Sequence, residues 1–402
     1  MRRVVITGAG TINPLGRSVA ETYAALRVGR CAIGPLDIPD AARLTAPLGA
    51  QVTGFDPSVH FDRQTLSLTD RFAQFALVAA AQAMDQAGLS VDGALAPRAG
   101  AILGNSGGGM ATQDEGFRAV YEAGKNRVHP FTVPRLMGNA PTAHLTMRFG
   151  LKGPSFTVSS ACASSNHAMG QAAATIASGQ ADVMLTGGTE AMLTFGGLKA
   201  WEGLRVMSAT GCRPFCASRD GMVQGEGAAV YVFEAEEHAR ARGATTLAHV
   251  AGSAMTSDAG DIVLPNAGGA AAAMTGALRA ADLSPADIGY INAHGTATAA
   301  NDRTEVAAIR QAFSHTADSV PVSSTKSMHG HLIGGAGAVE LLACLMALSE
   351  GVIAPTAGWR EADPDCALDI VTGTARQAHV RAVLSNAFAF GGMNAVLALT
   401  AP

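Results

Sequence analysis

Four short segments bring together a nucleophile, proton carriers, a cation and a hinged aromatic loop. "TVSSACASSNHAMGQ" (157–171) sets Cys162 in a run of small residues. "INAHGTATAANDRTE" (291–305) delivers His294 from an apolar strand end into a glycine/threonine turn. "SSTKSMHGHLIGGAGAVE" (323–340) crowds Lys326, His329 and His331 at a strand-to-helix junction rich in glycine. "LSNAFAFGGMNA" (384–395) places two phenylalanines before a double glycine. A cysteine acts as a nucleophile through its thiolate, which a helix N-terminus favours. A histidine at a strand end can take or give a proton in a cleft. A phenylalanine on a glycine hinge can gate a pocket. Each segment also has a plain reading: a core cysteine, a solvated turn histidine, a core strand closing in a tight turn. Taken singly, none decides between the two. A histidine pair at 329 and 331 would face one way in an extended stretch, but no carboxylate or cysteine at ligand spacing completes a metal site.

The elements that must position these groups are legible as a pattern. Of 402 residues, 48% are apolar and 15% charged, with 47 glycines, which predicts a large core, tight turns and a subunit interface. Strand-like and helix-like segments alternate, predicting an α/β fold with largely parallel sheets. The nearly all-small run from Ala161 to Ser178 predicts a helix packed closely on every side, with Cys162 in its first turn. "AMDQAGLSVDG" (83–93) echoes "ALRAADLSPAD" (277–287), and "VSSACASS" (158–165) echoes "VSSTKSMH" (322–329) in the same order. The echoes predict a duplicated α/β unit, residues 1–245 and 246–402, whose halves meet near 245.

Other classes are excluded on composition. A net charge of -4 argues against nucleic-acid binding. No charged-then-apolar leader precedes "RRVVITGAG", and no apolar stretch of spanning length is apparent, so the expectation is a cytoplasmic protein away from membranes. Six cysteines without such a leader read as reduced thiols, and Cys212 and Cys216 lack a second ligand pair for zinc. "GAGTINPLG" has Asn13 where a dinucleotide fingerprint needs glycine.

Together the four segments, with "VVITGAG", "GGTEA", "RDGMVQGEGA" and "NAFAFGG", resemble the β-ketoacyl-acyl carrier protein synthases, of the elongating Cys-His-His type shared by fatty-acid, polyketide and nodulation-factor pathways. The resemblance spans almost the whole chain. It implies a thiolase fold, two similar α/β halves in five α-β-α-β-α layers, normally a homodimer, with acyl carrier protein and acyl and malonyl thioesters as partners. It implies Cys162 as nucleophile, His294 and His331 as the histidine pair and Lys326 as the nearby lysine. The Cys162 and Phe390 amides would form an oxyanion hole, with Phe390 as gate and Asp302 and Glu305 as acidic supports pairing with Lys326. No redox cofactor is required. The family often holds a structural monovalent cation, and the matching positions are Asn292, Glu340, Ser385 and Asn386.

Departures from the housekeeping pattern predict a specialised enzyme. Gly107 stands where isoleucine usually floors the acyl pocket and would open space there. Ala389 replaces the first glycine of the gating loop, His329 a threonine, Cys216 an aspartate and Ala297 a glycine or serine. Gln64, Ser67 and Leu68 replace basic residues, leaving Arg63, Lys125, Arg127 and Arg205 to dock an acidic carrier protein, which predicts a dedicated carrier. Three competing readings remain. The first is another enzyme class on the same fold, but thiolases need a second catalytic cysteine near the C-terminus and starter-type synthases use Cys-His-Asn; the second is a chain-length-factor-like partner of a heterodimer, which lacks the nucleophile; the third is a structural or binding protein without chemistry, against which the in-order motifs argue.

Overall fold

The computed structural model describes residues 1–402. Ten strands form one continuous sheet. In chain order they are β1 (Val4–Ile12), β2 (Ala99–Gly104), β3 (Ser155–Val158), β4 (Val183–Glu190), β5 (Gly227–Ala235), β6 (Ala248–Ser257), β7 (Tyr290–Asn292), β8 (Val322–Ser323), β9 (Ala382–Ala389) and β10 (Met393–Thr400). Their spatial order is β8-β7-β9-β10-β6-β1-β5-β4-β2-β3. Read outward from the centre, one half runs 1-5-4-2-3 and the other 6-10-9-7-8. These are the same connectivity, which is the duplication that the sequence echoes point to. The halves join where β1 pairs with β6 through Val5–His249 and Ile6–Ala248.

The sheet is mixed, which corrects the expectation of largely parallel sheets. Only β2–β3, β2–β4, β7–β8 and β7–β9 run parallel; the remaining neighbours are antiparallel. The physical reason lies in the connections. β4–β5 and β9–β10 follow one another directly in the sheet, and consecutive antiparallel strands need no crossover helix.

Two helices fill the middle of the molecule: α2 (Ser164–Ala177) and α5 (Ala336–Glu350). Each packs on strands of both halves. Outer layers are α1 (Arg71–Ala87), lying on β1 and β5, and the pair α3 (Ala267–Ala280) and α4 (Ala299–Phe313) over the second half. The order is therefore helix, sheet, helix, sheet, helix. One apolar cluster including Met169, Ile176, Leu341 and Leu345 fills the space around the middle helices. Small residues on α2 let it sit between the two halves of the sheet at once; a Cβ on Gly170 would lie 3.0 Å from Met255 Cε. The segment Ile333–Glu350 is in fact long and apolar enough to span a membrane, contrary to the sequence expectation, but 83% of it is buried inside the protein. Burial between the two halves of the sheet demands the same all-round apolarity that a bilayer does.

Candidate active site

The loops that leave the C-terminal ends of β3, β7 and β8, with the β9–β10 hairpin, converge on one cleft lined by Cys162, His294, His331 and Phe390. The equivalent strand-to-helix junctions of the two halves, after β3 and after β8, supply the thiol and the second histidine.

Cys162 lies in the tight turn between β3 and α2, two residues before the first helical residue rather than within the first turn. Ser164 Oγ accepts from Ser160 N at 2.9 Å and donates to Ala161 O at 2.7 Å, which locks the turn. Ala161 is held at φ 46° and Ile333, two residues after His331, also at φ 46°. Left-handed backbone costs a non-glycine residue of order 1–3 kcal/mol and persists only where the surroundings enforce it. Here the enforcement is visible: Gly334 N donates to Glu190 and Gly334 O accepts from Ser165 Oγ.

The side-chain donor atoms of Cys162, His294 and His331 all lie within 4.8 Å of one another. The two imidazole rings meet edge to face, with centroids 5.5 Å apart at 81°. Ile333 N donates to His331 Nδ1 at 3.2 Å, so the ring proton of neutral His331 sits on Nε2, which is buried without a protein partner. His294 Nδ1 likewise has none. Burial, with the Lys326 charge and the opposite ring, or His329 for His331, holds both histidines well below the usual imidazole range. Both are neutral N–H donors at neutral pH. Burial pushes the Cys162 thiol up to about 12, against the opposing charge of Lys326. The resting group is thus a thiol. Alkylation of Cys162 by iodoacetamide should rise with pH through 9 without the plateau that an ordinary thiol shows above about 8.5; a plateau near 7 would instead reveal a resting thiolate.

Lys326 is fully buried and begins a short helix, Lys326–His329. Its Nζ donates to His294 O at 2.6 Å and forms an ion pair with Glu340 on α5. This corrects the expected pairing with Asp302 and Glu305. Glu305 accepts from His294 N at 2.8 Å and Gly295 N at 2.7 Å, and Asp302 from Phe215 N at 2.8 Å. Both carboxylates sit on α4 and tie down the turn that carries His294; neither reaches the lysine. His329 does not share the cleft with His331. Gly330 at φ 70° breaks the extended stretch, and the His329 ring bonds Thr325 Oγ1 and Gly330 O instead.

Phe390 sits at the hairpin turn and stacks on Trp201, centroids 6.0 Å apart, a partner the sequence reading missed. Ala389 stays in regular strand pairing with Met393, and the positive φ values fall on Gly391 and Gly392, so the substitution is accommodated without strain in this conformation. Neither Cys162 N nor Phe390 N donates to a backbone carbonyl. The space expected above Gly107 is not open: a Cβ there would lie 2.7 Å from Met192 Sδ. Ala297 does carry strain, at φ 64°. Of the basic docking candidates, none lines the cleft. Lys125 and Arg127 are exposed on a separate cleft with Arg135, and Arg63 and Arg205 are exposed elsewhere. Glu190, also missed, lies within "GGTEA" and is the buried anchor of both glycine loops.

Two family models match the chain: "Beta-ketoacyl synthase, N-terminal domain" over residues 1–239 and "Beta-ketoacyl synthase, C-terminal domain" over 247–360. Nodulation protein E of Rhizobium sp. (strain N33) is 48% identical, over 99% of this chain and 98% of that protein. The 3-oxoacyl-[acyl-carrier-protein] synthase 2 of Coxiella burnetii (strain RSA 493 / Nine Mile phase I) is 38% identical, over 99% and 98%. The solved structure "The ishigamide ketosynthase/chain length factor" superimposes with a TM-score of 0.95 at 34% identity, over 100% and 99% of the two chains.

Proposed function

This chain belongs to the β-ketoacyl synthase family and has its thiolase fold, and from that premise we propose how its own residues carry the decarboxylative condensation. The carrying observation is the Cys162–His294–His331 cluster, a thiol and two neutral imidazoles whose side-chain donor atoms lie within 4.8 Å of one another. Cys162 Sγ attacks the acyl-carrier thioester carbon; its proton leaves with the departing carrier thiol, through an adjacent imidazole. The Cys162 and Phe390 N–H groups receive the tetrahedral oxyanion. Malonyl-carrier thioester then enters the same cleft. Its carboxylate leaves as CO₂, and the electron pair moves onto the thioester oxygen as an enolate held by the two imidazole N–H groups. The enolate carbon attacks the acyl-cysteine carbonyl, forming the carbon–carbon bond and expelling the Cys162 thiolate, which takes a proton from solvent. Neutral histidines suit this step because they donate without protonating the nucleophilic carbon. Lys326 orients His294 through its carbonyl.

A structural monovalent cation fits the polar interior beside the site. Asn292 Oδ1 and Asn386 Oδ1 are buried without a donor, and Asn166 Oδ1 adds a third such oxygen. Such a cation would take the Asn292 and Asn166 oxygens with Ser385, while the Asn386 side chain turns to Met274 and Glu305 on the outer face and Glu340 already faces Lys326. The partner surface has support too. β3 is a sheet edge with Phe156 exposed, and the segment 117–137 exposes Tyr121 (80%), Val133 (62%) and Phe131. An unpaired edge flanked by apolar side chains is a ready dimer interface. A second copy of this chain is the occupant we propose, since one chain already holds the complete Cys-His-His set; a heterodimer with a chain-length-factor-like subunit is the other outcome. Arg63, Lys125, Arg127 and Arg205 are proposed to meet the acidic carrier across that dimer.

The test is to mix the protein with acyl-carrier and malonyl-carrier thioesters and weigh product and enzyme. A β-ketoacyl-carrier product with an acyl adduct on Cys162 is expected; no adduct with any donor overturns the reading.

A further inference from the structure

An enolate donor works only if its N–H is held in place, because an ångström of misplacement costs up to about 10²-fold in rate. Much of what holds His331 is main chain. His331 N donates to Val223 O at 2.7 Å, and His331 O accepts from Gly225 N at 3.0 Å, so the residue bridges to the stretch 223–225. Gly330 precedes it at φ 70°, and a Cβ there would lie 3.0 Å from both Val223 O and Gln224 O. The backbone therefore turns sharply between the short helix Lys326–His329 and His331, and only glycine fits the turn. The same freedom that makes the turn possible leaves the Gly330–His331 peptide free to rotate unless something else holds it.

His329 removes that freedom. It is fully buried and lies outside the cleft. Its Nδ1 bonds Gly330 O at 2.8 Å and its Nε2 bonds Thr325 Oγ1 at 2.9 Å. A carbonyl oxygen only accepts, so Nδ1 carries the ring proton and the Thr325 hydroxyl donates to Nε2. Burial and the Lys326 charge pull this imidazole down to about 3, so it stays neutral and keeps that tautomer. The Gly330–His331 peptide is thus held at both edges: its oxygen by the His329 ring, its N–H by Val223 O. Thr325 is the residue just before the short helix, and its carbonyl accepts from Met328 N at 2.9 Å and His329 N at 3.2 Å. One ring spans from the start of the helix that carries Lys326 to the peptide that carries His331. Resting on the proposed role of His331 as an enolate donor, we infer that His329 is a positioning residue: its Nδ1–H clamps the Gly330–His331 peptide and so aims the His331 Nε2–H at the enolate oxygen. Acyl transfer does not depend on that aim, since either cleft histidine can pass the thiol proton on. The clamp acts on loss of CO₂ and leaves adduct formation alone.

Two amide side chains separate the two ring nitrogens. The Asn amide N–H reaches about as far as the His Nδ1–H, and the Gln amide lies one bond farther out, near Nε2. The experiment measures CO₂ release from malonyl-carrier and acyl-adduct formation on Cys162 by intact mass, both per folded protein, in His329→Asn and His329→Gln. His329→Gln keeps a partner for Thr325 but loses the donor to Gly330 O. It is expected to slow CO₂ release by at least about tenfold, with adduct formation within about twofold of wild type. His329→Asn restores that donor and is expected to bring CO₂ release back to within about threefold of wild type. Half-reactions that fall together in His329→Gln, or the same loss of CO₂ release in both variants, overturn the inference. If His329→Gln does not fold, Thr325→Val decides: it keeps the shape but frees the outer ring nitrogen, and CO₂ release that does not fall relative to adduct formation overturns the inference. A wild type that forms the adduct but releases no CO₂ overturns the proposed enolate role of the histidine pair instead.

Discussion

Cys162→Ala should abolish condensation, by on the order of 10⁴-fold or more, while leaving decarboxylation of malonyl-carrier measurable. The two half-reactions use different atoms of the same cluster. Acyl transfer needs the sulfur and one imidazole, from either histidine, to pass its proton on; loss of CO₂ needs both donors at the enolate oxygen, the role proposed for His294 and His331. The converse variants separate them from the other side. His294→Ala or His331→Ala should retain an acyl adduct on Cys162 yet lower decarboxylation by about 10²–10³-fold, the usual effect of deleting one donor to a developing oxyanion. Measuring CO₂ release and adduct mass in parallel checks both. Equal loss of the two half-reactions in every variant would mean that the cluster acts as one indivisible unit and that the division of roles is wrong. The pH dependence has a definite sign as well. Both histidines are held well below the usual imidazole range, so activity should show no acid limb near pH 6.5 as the pH is lowered from 7 to 6.

Lys326→Met is expected to have the largest effect on stability, a loss of about 3–5 kcal/mol at pH 8, read from urea denaturation midpoints. Lys326 and Glu340 are both buried, at 0% and 1% side-chain exposure, so removing the cation strands a carboxylate with no water to receive it. Burial already raises the Glu340 carboxyl, with Lys326 opposing, and removing Lys326 raises it further. A folded-state value above the unfolded one stabilises the fold when the pH drops below it. The penalty should therefore shrink towards pH 5.5, as Glu340 takes a proton. Lys326→Met/Glu340→Leu should recover most of the stability, since an apolar pair of similar volume replaces a buried ion pair at little net cost. Condensation should stay impaired in the double variant, because the hydrogen bond to His294 O is still absent. Full recovery of activity together with stability would reduce Lys326 to a packing role.

The cysteine, two histidines and lysine that the structure gathers stand out in the sequence because chemistry restricts residue type: few other side chains suit the proposed reaction, and their order along the chain is itself informative. The α/β class and its duplication were readable for a similar reason. Strand-to-helix junctions such as "VSSACASS" and "VSSTKSMH" repeat a local pattern that each half needs independently. Strand direction was not readable, because β4–β5 and β9–β10 are apolar runs whose periodicity is the same in parallel and antiparallel pairing.

What the tertiary structure decided were contacts between residues distant in sequence. Lys326 pairs with Glu340 and not with Asp302 or Glu305, because α5 returns through the middle layer beneath it while α4 lies over the outer face. His329 and His331 part company at one left-handed glycine. The vacancy implied by Gly107 is filled by Met192, which is 85 positions away in the chain yet in contact with that berth, while the Gly107 backbone is held by the buried Glu190 carboxylate. Residue types specify which reactions are available. Distances, burial and the resulting neutral protonation states of Cys162, His294 and His331 come only from two half-domains folding against each other.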